Sequence, residues 1–437
     1  MNPTAQPLFP PRQKLGFHYF PDTLHYTEKD LQQWLPLLME LGTGWLVLRT
    51  ELNRAIPEYF ISGLIKAGIQ PIIQFPVSLQ ASPDLRGISP LIEAYSNWGA
   101  TFHQFFDRPN IYQSWPANQW AQQDLVERFL DRYLPLAGLS VEAGAFPLFP
   151  PLEPGGNFWD TTFLRAALQA IERRKLNSLL ERLILSSYGW TFQHPLNWGE
   201  GGPEKWPEAR PYFTPPHSQD QRGFRTFDWY STISEAVLQK KCPMILLQAG
   251  LPSAPECLSE NFAKSPDLQN TFIEILRGIQ AAGNPQGEEE ARTLNLPDEI
   301  ISVNFWLLSA EKATPASPFA WFEEAQPVCK AASHLCEVKN IQTNRPALHG
   351  ILDEDSLRKA IRPLQHYLYL GETNELTLAS VFQKHSSFIL QNHPTIGFSL
   401  NEARLANRIT LAVKPDQVPE DLLASLQKQG CQIEWLE

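Results

Sequence analysis

The sequence predicts an α/β protein: a closed (β/α)8 TIM barrel followed by a small C-terminal α/β domain. Three observations carry this expectation. Short β-rich runs alternate eight times with helical patterns over about 320 residues, as in a closed parallel barrel. The strand runs are almost continuously apolar, as strands covered on both faces are. No GxGxxG opens a helix, which counts against an open doubly wound sheet, the alternative.

The first strand is KLGFHYF, Lys14–Phe20, ended by Pro21-Asp22. Glu28–Leu41 carries Leu31, Trp34, Leu35, Leu38 and Leu41 at helical spacing, with Thr27 as its cap and Pro36 inside it. Trp45–Leu48 is the second strand and stops at Arg49-Thr50-Glu51; Pro57–Ala67 is helical, with Pro57 in its first turn. Pro71–Phe75 is strand three and Leu91–Gly99 the third helix. His103–Phe106 is strand four, with helix Asp124–Ala137 after it. Ala145–Leu152 reads as strand five despite its prolines, followed by helix Asp160–Ile171, capped by Asp160. Leu183–Tyr188, helix Asp228–Lys240, Pro243–Gln248, helix Leu268–Ala281 and Glu299–Leu308 complete the barrel. The longest connection, Gly189–Phe227, follows a strand end, where a barrel builds its active face.

Beyond strand eight, aromatic Ser317–Gln326 is expected to pack on that strand, and Glu337–Arg345 reads as a polar linker. The domains are therefore expected at 1–336 and 337–437, with the second unit's core starting near Leu348. Within it the pattern is strand Gln365–Leu370, helix Leu376–Leu390, strand Thr395–Ser399 and helix Asn401–Asn407. Strand Ile409–Val413, helix Pro419–Gln429 and strand Cys431–Trp435 follow. It shows no catalytic constellation and reads as an accessory domain, with a protein partner as one use for it.

The 437 residues are 43% hydrophobic and 19% charged, the balance of a soluble globular protein. A formal net charge of −11 disfavours nucleic acid and anionic membrane as partners. The N-terminal MNPTAQPLFPPRQK has no basic segment followed by an apolar run, and no stretch is long enough to span a bilayer. Five cysteines without CxxC or metal spacing fit reduced thiols in a cytoplasm, with a Cys329–Cys336 bridge as the lesser alternative. No cofactor and no metal are expected. The 38 prolines and 13 tryptophans suggest long ordered loops and aromatic surfaces.

The chain's most informative stretch is Thr101–Trp120, TFHQFFDRPNIYQSWPANQW. Strand four stops at a polar corner, Asp107-Arg108-Pro109-Asn110, followed by three large rings, Tyr112, Trp115 and Trp120. A polar strand end roofed by aromatics suits a sugar-binding cleft; ordinary packing rings at a strand–loop junction are the plain alternative. Leu247-Gln248-Ala249-Gly250 ends strand seven, Tyr188 and Trp190 end strand six, and Trp306 ends strand eight.

On these residues the region Lys14–Ala325 resembles the clan A glycoside hydrolases, the cellulase-like (β/α)8 superfamily. That resemblance implies an Asn-Glu-Pro at the end of strand four, whose Glu is the general acid/base. It also implies a nucleophilic Glu at the end of strand seven, a His or Tyr on strand six and a Trp on strand eight. Tyr188 and Trp306 match. Arg108 and Gln248 stand where the two glutamates would be. A retaining glycosidase needs two carboxyl groups roughly 5 Å apart. Arginine stays protonated and cannot shuttle a proton, and a glutamine amide is a very poor nucleophile. Losing one acid/base group costs about 10²–10⁴ in rate, so losing both should abolish the standard mechanism.

The resulting expectation is a catalytically degenerate, glycosidase-derived barrel that binds a carbohydrate in its mouth, with Arg108 favouring acidic saccharides. Its candidate ligand contacts are His18, Arg49, Asp107, Arg108, Asn110, Tyr188, Trp190, Gln248 and Trp306. Plain structural roles stand beside these: an ion pair of Arg108 with Glu51 or Glu153, a buried amide for Gln248, and a satisfied core histidine for His18. Trp198, Trp206 and Trp229 could form a stacking platform or a loop minicore, and His194 could pack or contact a sugar. The rival is a working hydrolase with relocated carboxylates, drawn from Glu51, Asp107, Glu153 and Glu200. In that rival Asp107 should point away from the usual acid position, because strand neighbours alternate. A ligand-free scaffold for protein contacts is the third possibility.

Overall fold

The computed structural model describes residues 13–283, 294–341, 364–371, 375–398, 400–403, 406–414, 418–419, 423–424, 426–427 and 431–436. Two compact units are present: Met1–Ile56 with Ala67–Pro346, and Pro57–Lys66 with Ala347–Glu437.

Eight parallel strands close into one barrel in chain order. They are β1 (Leu15–His18), β2 (Trp45–Arg49), β3 (Gln70–Phe75), β4 (Phe102–Phe105), β5 (Phe146–Phe149), β6 (Ile184–Tyr188), β7 (Met244–Leu247) and β8 (Ile300–Phe305). Closure is direct: Gly16 of β1 lies opposite Trp45 on one side and Asn304 on the other. A Cβ on Gly16 would stand 2.1 Å from Asn304 Oδ1 and 2.9 Å from Trp45 Cβ, so any larger residue there must displace a neighbour. Trp45 of β2 and Phe102 of β4 meet across β3 at 4.9 Å, and Phe102 stacks on Phe146 of β5 at 5.4 Å. These are the bulky residues that fill a barrel's interior.

The helices cover the outside. Helix Glu28–Leu41 begins on a reciprocal cap: the Asp30 amide donates to Thr27 Oγ1 at 3.2 Å, and the Thr27 amide donates to Asp30 Oδ2 at 2.8 Å. His103 of β4 is wholly buried, with Nδ1 3.1 Å from Ser140 Oγ of helix Leu125–Glu142 and Nε2 3.0 Å from the Ala100 carbonyl.

Several boundaries differ from expectation. The third helix starts at Leu85 rather than Leu91, because Asp84 caps it by accepting from the Arg86 amide, and Pro90 lies inside it. The fourth-strand helix runs on past Pro135 to Glu142. β5 is only four residues long, since Pro150 and Pro151 end it. Asp160 is not a cap. Trp159 holds that position, and Asp160 is buried, accepting from the Gly155 amide, Gln221 Nε2 and Tyr230 Oη at 2.9, 2.7 and 2.9 Å. After β8, Trp321 packs on Phe305 at 4.7 Å, ahead of a small hairpin of β9 (Phe322–Glu323) and β10 (Gln326–Pro327). Helix Lys330–Val338 runs through the expected 336/337 boundary and takes in the first two residues of the expected linker. Linker residues 342–345 and Leu348 lie outside the described residues.

The second unit contains a parallel sheet in the order β12 (Thr395–Gly397), β11 (Leu364–Tyr369), β13 (Ala406–Leu411), β14 (Gln432–Trp435). Tyr367, Ile409, Leu411 and Leu426 are in its core. The helix expected over Asn401–Asn407 is shorter, Leu400–Ala403, because β13 begins at Ala406. Helix Glu375–Asn392 falls where expected, whereas Pro419–Gln429 is described only in part. Among the described residues no helix is long and apolar enough to cross a membrane.

Candidate functional site

The C-terminal ends of the barrel strands bring the singled-out residues to one mouth. β4 ends abruptly because Phe106 and Arg108 both take left-handed backbone angles, φ 61° and 43°. Such angles are uncommon outside glycine, and here they cancel the strand alternation. Asp107 and Arg108 consequently pair with each other, and each also reaches its own partners. Asp107 Oδ1 accepts a short hydrogen bond from Tyr188 Oη, and Oδ2 accepts from Arg108 Nε at 2.8 Å.

Arg108 is held by three carboxylates. Besides Asp107, it meets Glu153 at 3.4 Å and Glu256 at 2.6 Å through its two terminal nitrogens. The ion pair foreseen with Glu153 is present; the alternative with Glu51 is not, because Glu51 accepts from Arg54 at 2.8 Å and Thr23 at 2.6 Å. Burial alone would lower the Arg108 pKa, but Asp107, Tyr188 and Glu256 hold it above its ordinary value. Burial, partly offset by Arg108, raises the Glu153 carboxyl pKa.

Gln248 also sits at a left-handed residue, φ 50°, just beyond β7. Trp190 Nε1 donates to its Oε1 at 3.1 Å. An indole nitrogen only donates, so the amide oxygen must face it and the NH2 is left over. Tyr188 stacks on Trp190 with centroids 4.2 Å apart and planes 10° from parallel. Asp107, Tyr188, Trp190 and Gln248 thus form one connected run, so the ends of β4 and β7 share one mouth. Trp190 is 0% exposed, so it offers a ligand no ring face.

Trp306 follows β8, with a cis peptide bond to Leu307. Its ring meets His18 of β1 edge-on at 5.0 Å. Trp306 Nε1 and His18 Nε2 are both buried and lack a partner among the described residues. Burial and then the nearby charge of Arg49 lower the His18 pKa to about 3, so the ring is neutral. Arg49, at the exposed end of β2, donates from one terminal nitrogen to the Pro21 carbonyl, just past β1.

Other candidates have structural employment. Asn110 is buried, donating to the Glu153 and Phe158 carbonyls at 2.9 Å each and accepting from the Glu153 amide at 2.8 Å. Its side chain joins two loops and has nothing left for a ligand. Trp115 is not a roof over a cleft: it lies buried with Arg128 and Arg132 5.3 and 5.2 Å from its ring, and donates to the Pro109 carbonyl. The long loop is tied together by its own rings. Trp198, Trp206 and Trp229 donate to Asp220, the Glu200 carbonyl and the Gly199 carbonyl, and His194 covers Trp198 at 3.9 Å. Glu200 lies near Arg225 and Lys205 instead of the mouth cluster.

Sequence reading missed Glu256, which reaches Arg108 from the loop after β7, 148 residues along the chain. No spacing signal marks such a contact. It also passed over Gln74 and Gln104, hydrogen-bonded at 3.0 Å on β3 and β4, and Tyr212 and Phe213, exposed in the long loop. Among the described residues no group of three or more His, Cys, Asp or Glu could hold a metal ion.

No family model and no curated protein matches this chain. Solved structures that it resembles include glycoside hydrolases with the same barrel. One is a family 39 glycoside hydrolase from Bacteroides cellulosilyticus, with 12% identity and a TM-score of 0.43 over 76% of this chain and 64% of that one. Another is a 4-O-α-L-rhamnosyl-β-D-glucuronidase from Fusarium oxysporum, with 10% identity and a TM-score of 0.44 over 75% and 68%. A third is a catalytic module of the pneumococcal exo-β-D-N-acetylglucosaminidase, with 11% identity and a TM-score of 0.37 over 96% and 98%. This chain spans less than two thirds of the family 39 enzyme's length. At these identities and scores, nothing of those proteins' activities carries over to this chain.

Proposed function

We propose that the barrel mouth binds a carbohydrate without hydrolysing it. The supporting observation is the state of the two strand ends where a clan A glycosidase carries its glutamates. Arg108, after β4, is locked among Asp107, Glu153 and Glu256. Gln248, after β7, is locked by Trp190. Neither can donate a proton to a leaving oxygen or form a glycosyl ester. Half-buried Gln248 and Trp306 remain to meet hydroxyls and a sugar face.

One observation favours a second reading, a hydrolase with relocated acids. Glu153, whose pKa burial raises, shares the Arg108 guanidinium with Asp107, which accepts from Tyr188. Two carboxyl groups held around one guanidinium at a strand end are the kind of residue pair that glycoside hydrolysis draws on.

Glycan-array binding run beside hydrolysis of chromogenic glycosides separates the readings. Specific binding with no chromophore release is the expected result. Release by the wild-type protein that disappears in Glu153→Gln or Asp107→Asn would establish the relocated-acid hydrolase instead. Silence in both assays would leave the barrel as a scaffold, with protein contacts through the C-terminal domain as its use.

A further inference from the structure

The charged residue best placed by sequence to meet an acidic sugar, Arg108, has its guanidinium occupied on three sides by carboxylates. Those acids leave the β4–β5 side of the mouth richer in negative than in positive charge. The opposite arc, formed by the ends of β7, β8, β1 and β2, is different. Beside its carboxylates, this arc carries polar groups that have no partner among the described residues. Trp306 Nε1 is buried without a partner among the described residues and can only donate. His18, 3% exposed, has an unpartnered Nε2. The Gln248 amide turns its oxygen to Trp190, which leaves its NH2 without a partner among the described residues.

Arg49 stands at the same arc. Its guanidinium reaches the Pro21 carbonyl and so lies over the end of β1, beside His18. Among the described residues no carboxylate lies within ion-pair distance of it. Glu51, two residues on, is taken by Arg54. The Tyr26 hydroxyl donates to the Arg49 carbonyl at 2.7 Å and steadies that backbone. A planar, permanently charged fork beside a buried indole N–H has the donor chemistry that a carboxylate needs.

We infer that Arg49, with His18 and Trp306 beside it, binds the carboxylate of an acidic saccharide, and that Arg108 does not contact the ligand. This rests on the carbohydrate-binding reading above. Residues of the hexuronate class carry that carboxylate at C6, where neutral hexoses carry a hydroxymethyl group.

The test is calorimetric titration with oligosaccharides matched except at C6: glucose against glucuronate, galactose against galacturonate and mannose against mannuronate. The wild-type protein should bind one uronate member at least about tenfold more tightly than its neutral partner, the range of a charged hydrogen bond. That preference should shrink as salt is raised. Arg49→Gln keeps a donor for Pro21 and should erase the preference, Arg49→Lys should keep part of it, and Arg54→Gln should keep all of it. Equal or better binding of the neutral members, or a preference that survives Arg49→Gln, overturns the inference while the carbohydrate reading stands. No binding of either member in any pair removes both.

Discussion

At the residue scale, one side chain type serves two opposite ends. Asn110 and Gln248 are both amides at strand ends of the mouth. Asn110 has every polar atom satisfied by backbone and holds the β4 corner to the β5 loop. Gln248 is held only at its oxygen. Asn110→Ala would orphan two carbonyls and one amide in a buried place, so it should cost about 3 kcal/mol or more, measured as the loss in denaturant-unfolding stability. Asn110→Asp should also be costly, because a carboxylate can still accept from Glu153 but cannot donate to either carbonyl. Arg108 teaches the same lesson in charge. Its identity is plain in the sequence, but a cation's availability depends on what surrounds it, and Glu256 arrives from 148 residues away.

At the element scale, the barrel seam depends on the smallness of one residue. β1 approaches β8 so closely that the Asn304 side chain occupies the space a Gly16 Cβ would need. Gly16→Ala forces β1, Trp45 or Asn304 to move, and overpacking of this kind costs about 1–3 kcal/mol. A lowered thermal midpoint with an unchanged far-ultraviolet spectrum is the expected outcome. The long loop after β6 behaves as an element in its own right. Its indole N–H groups close on its own backbone and on Asp220, which also accepts from Thr214 and Arg222. Trp229→Phe should therefore lower stability by about 1 kcal/mol, for a lost hydrogen bond, and leave glycan affinity unchanged. A large affinity loss in that variant would show that the loop is part of the binding surface.

At the scale of the whole molecule, two buried histidines link stability to pH. Burial lowers the pKa of His18 to about 3 and that of His103 to about 4, against about 6.5 in the unfolded chain. Above pH 6.5 both are neutral in either state and their contribution to stability is complete. As pH falls below 6.5 the unfolded chain binds protons that the folded one refuses. Stability then declines by about 1.4 kcal/mol per pH unit for each ring, until pH 4 for His103 and pH 3 for His18. Asp160 and Glu153, both raised by burial, act in the opposite sense. The clean measure is therefore a difference: between pH 7 and pH 5, His103→Gln should lose about 2 kcal/mol less than the wild type does. Equal losses would mean that His103 titrates normally.

The residue order by itself determined the strand–helix alternation, the barrel class, the Thr27 helix start and the strand ends that would carry chemistry. Apolar runs, caps and proline stops act over a few residues, so they are legible from one sequence. Tertiary structure alone decided which of those ends are spent and which are open. The guanidinium of Arg108 is consumed, Trp190 and Trp115 are sealed, and Asp160 is a buried junction rather than a cap. The outcomes at Arg108 and Trp190 turn on partners brought together by barrel closure. Desolvation and pairing depend on distance in space, and no spacing along the chain encodes it.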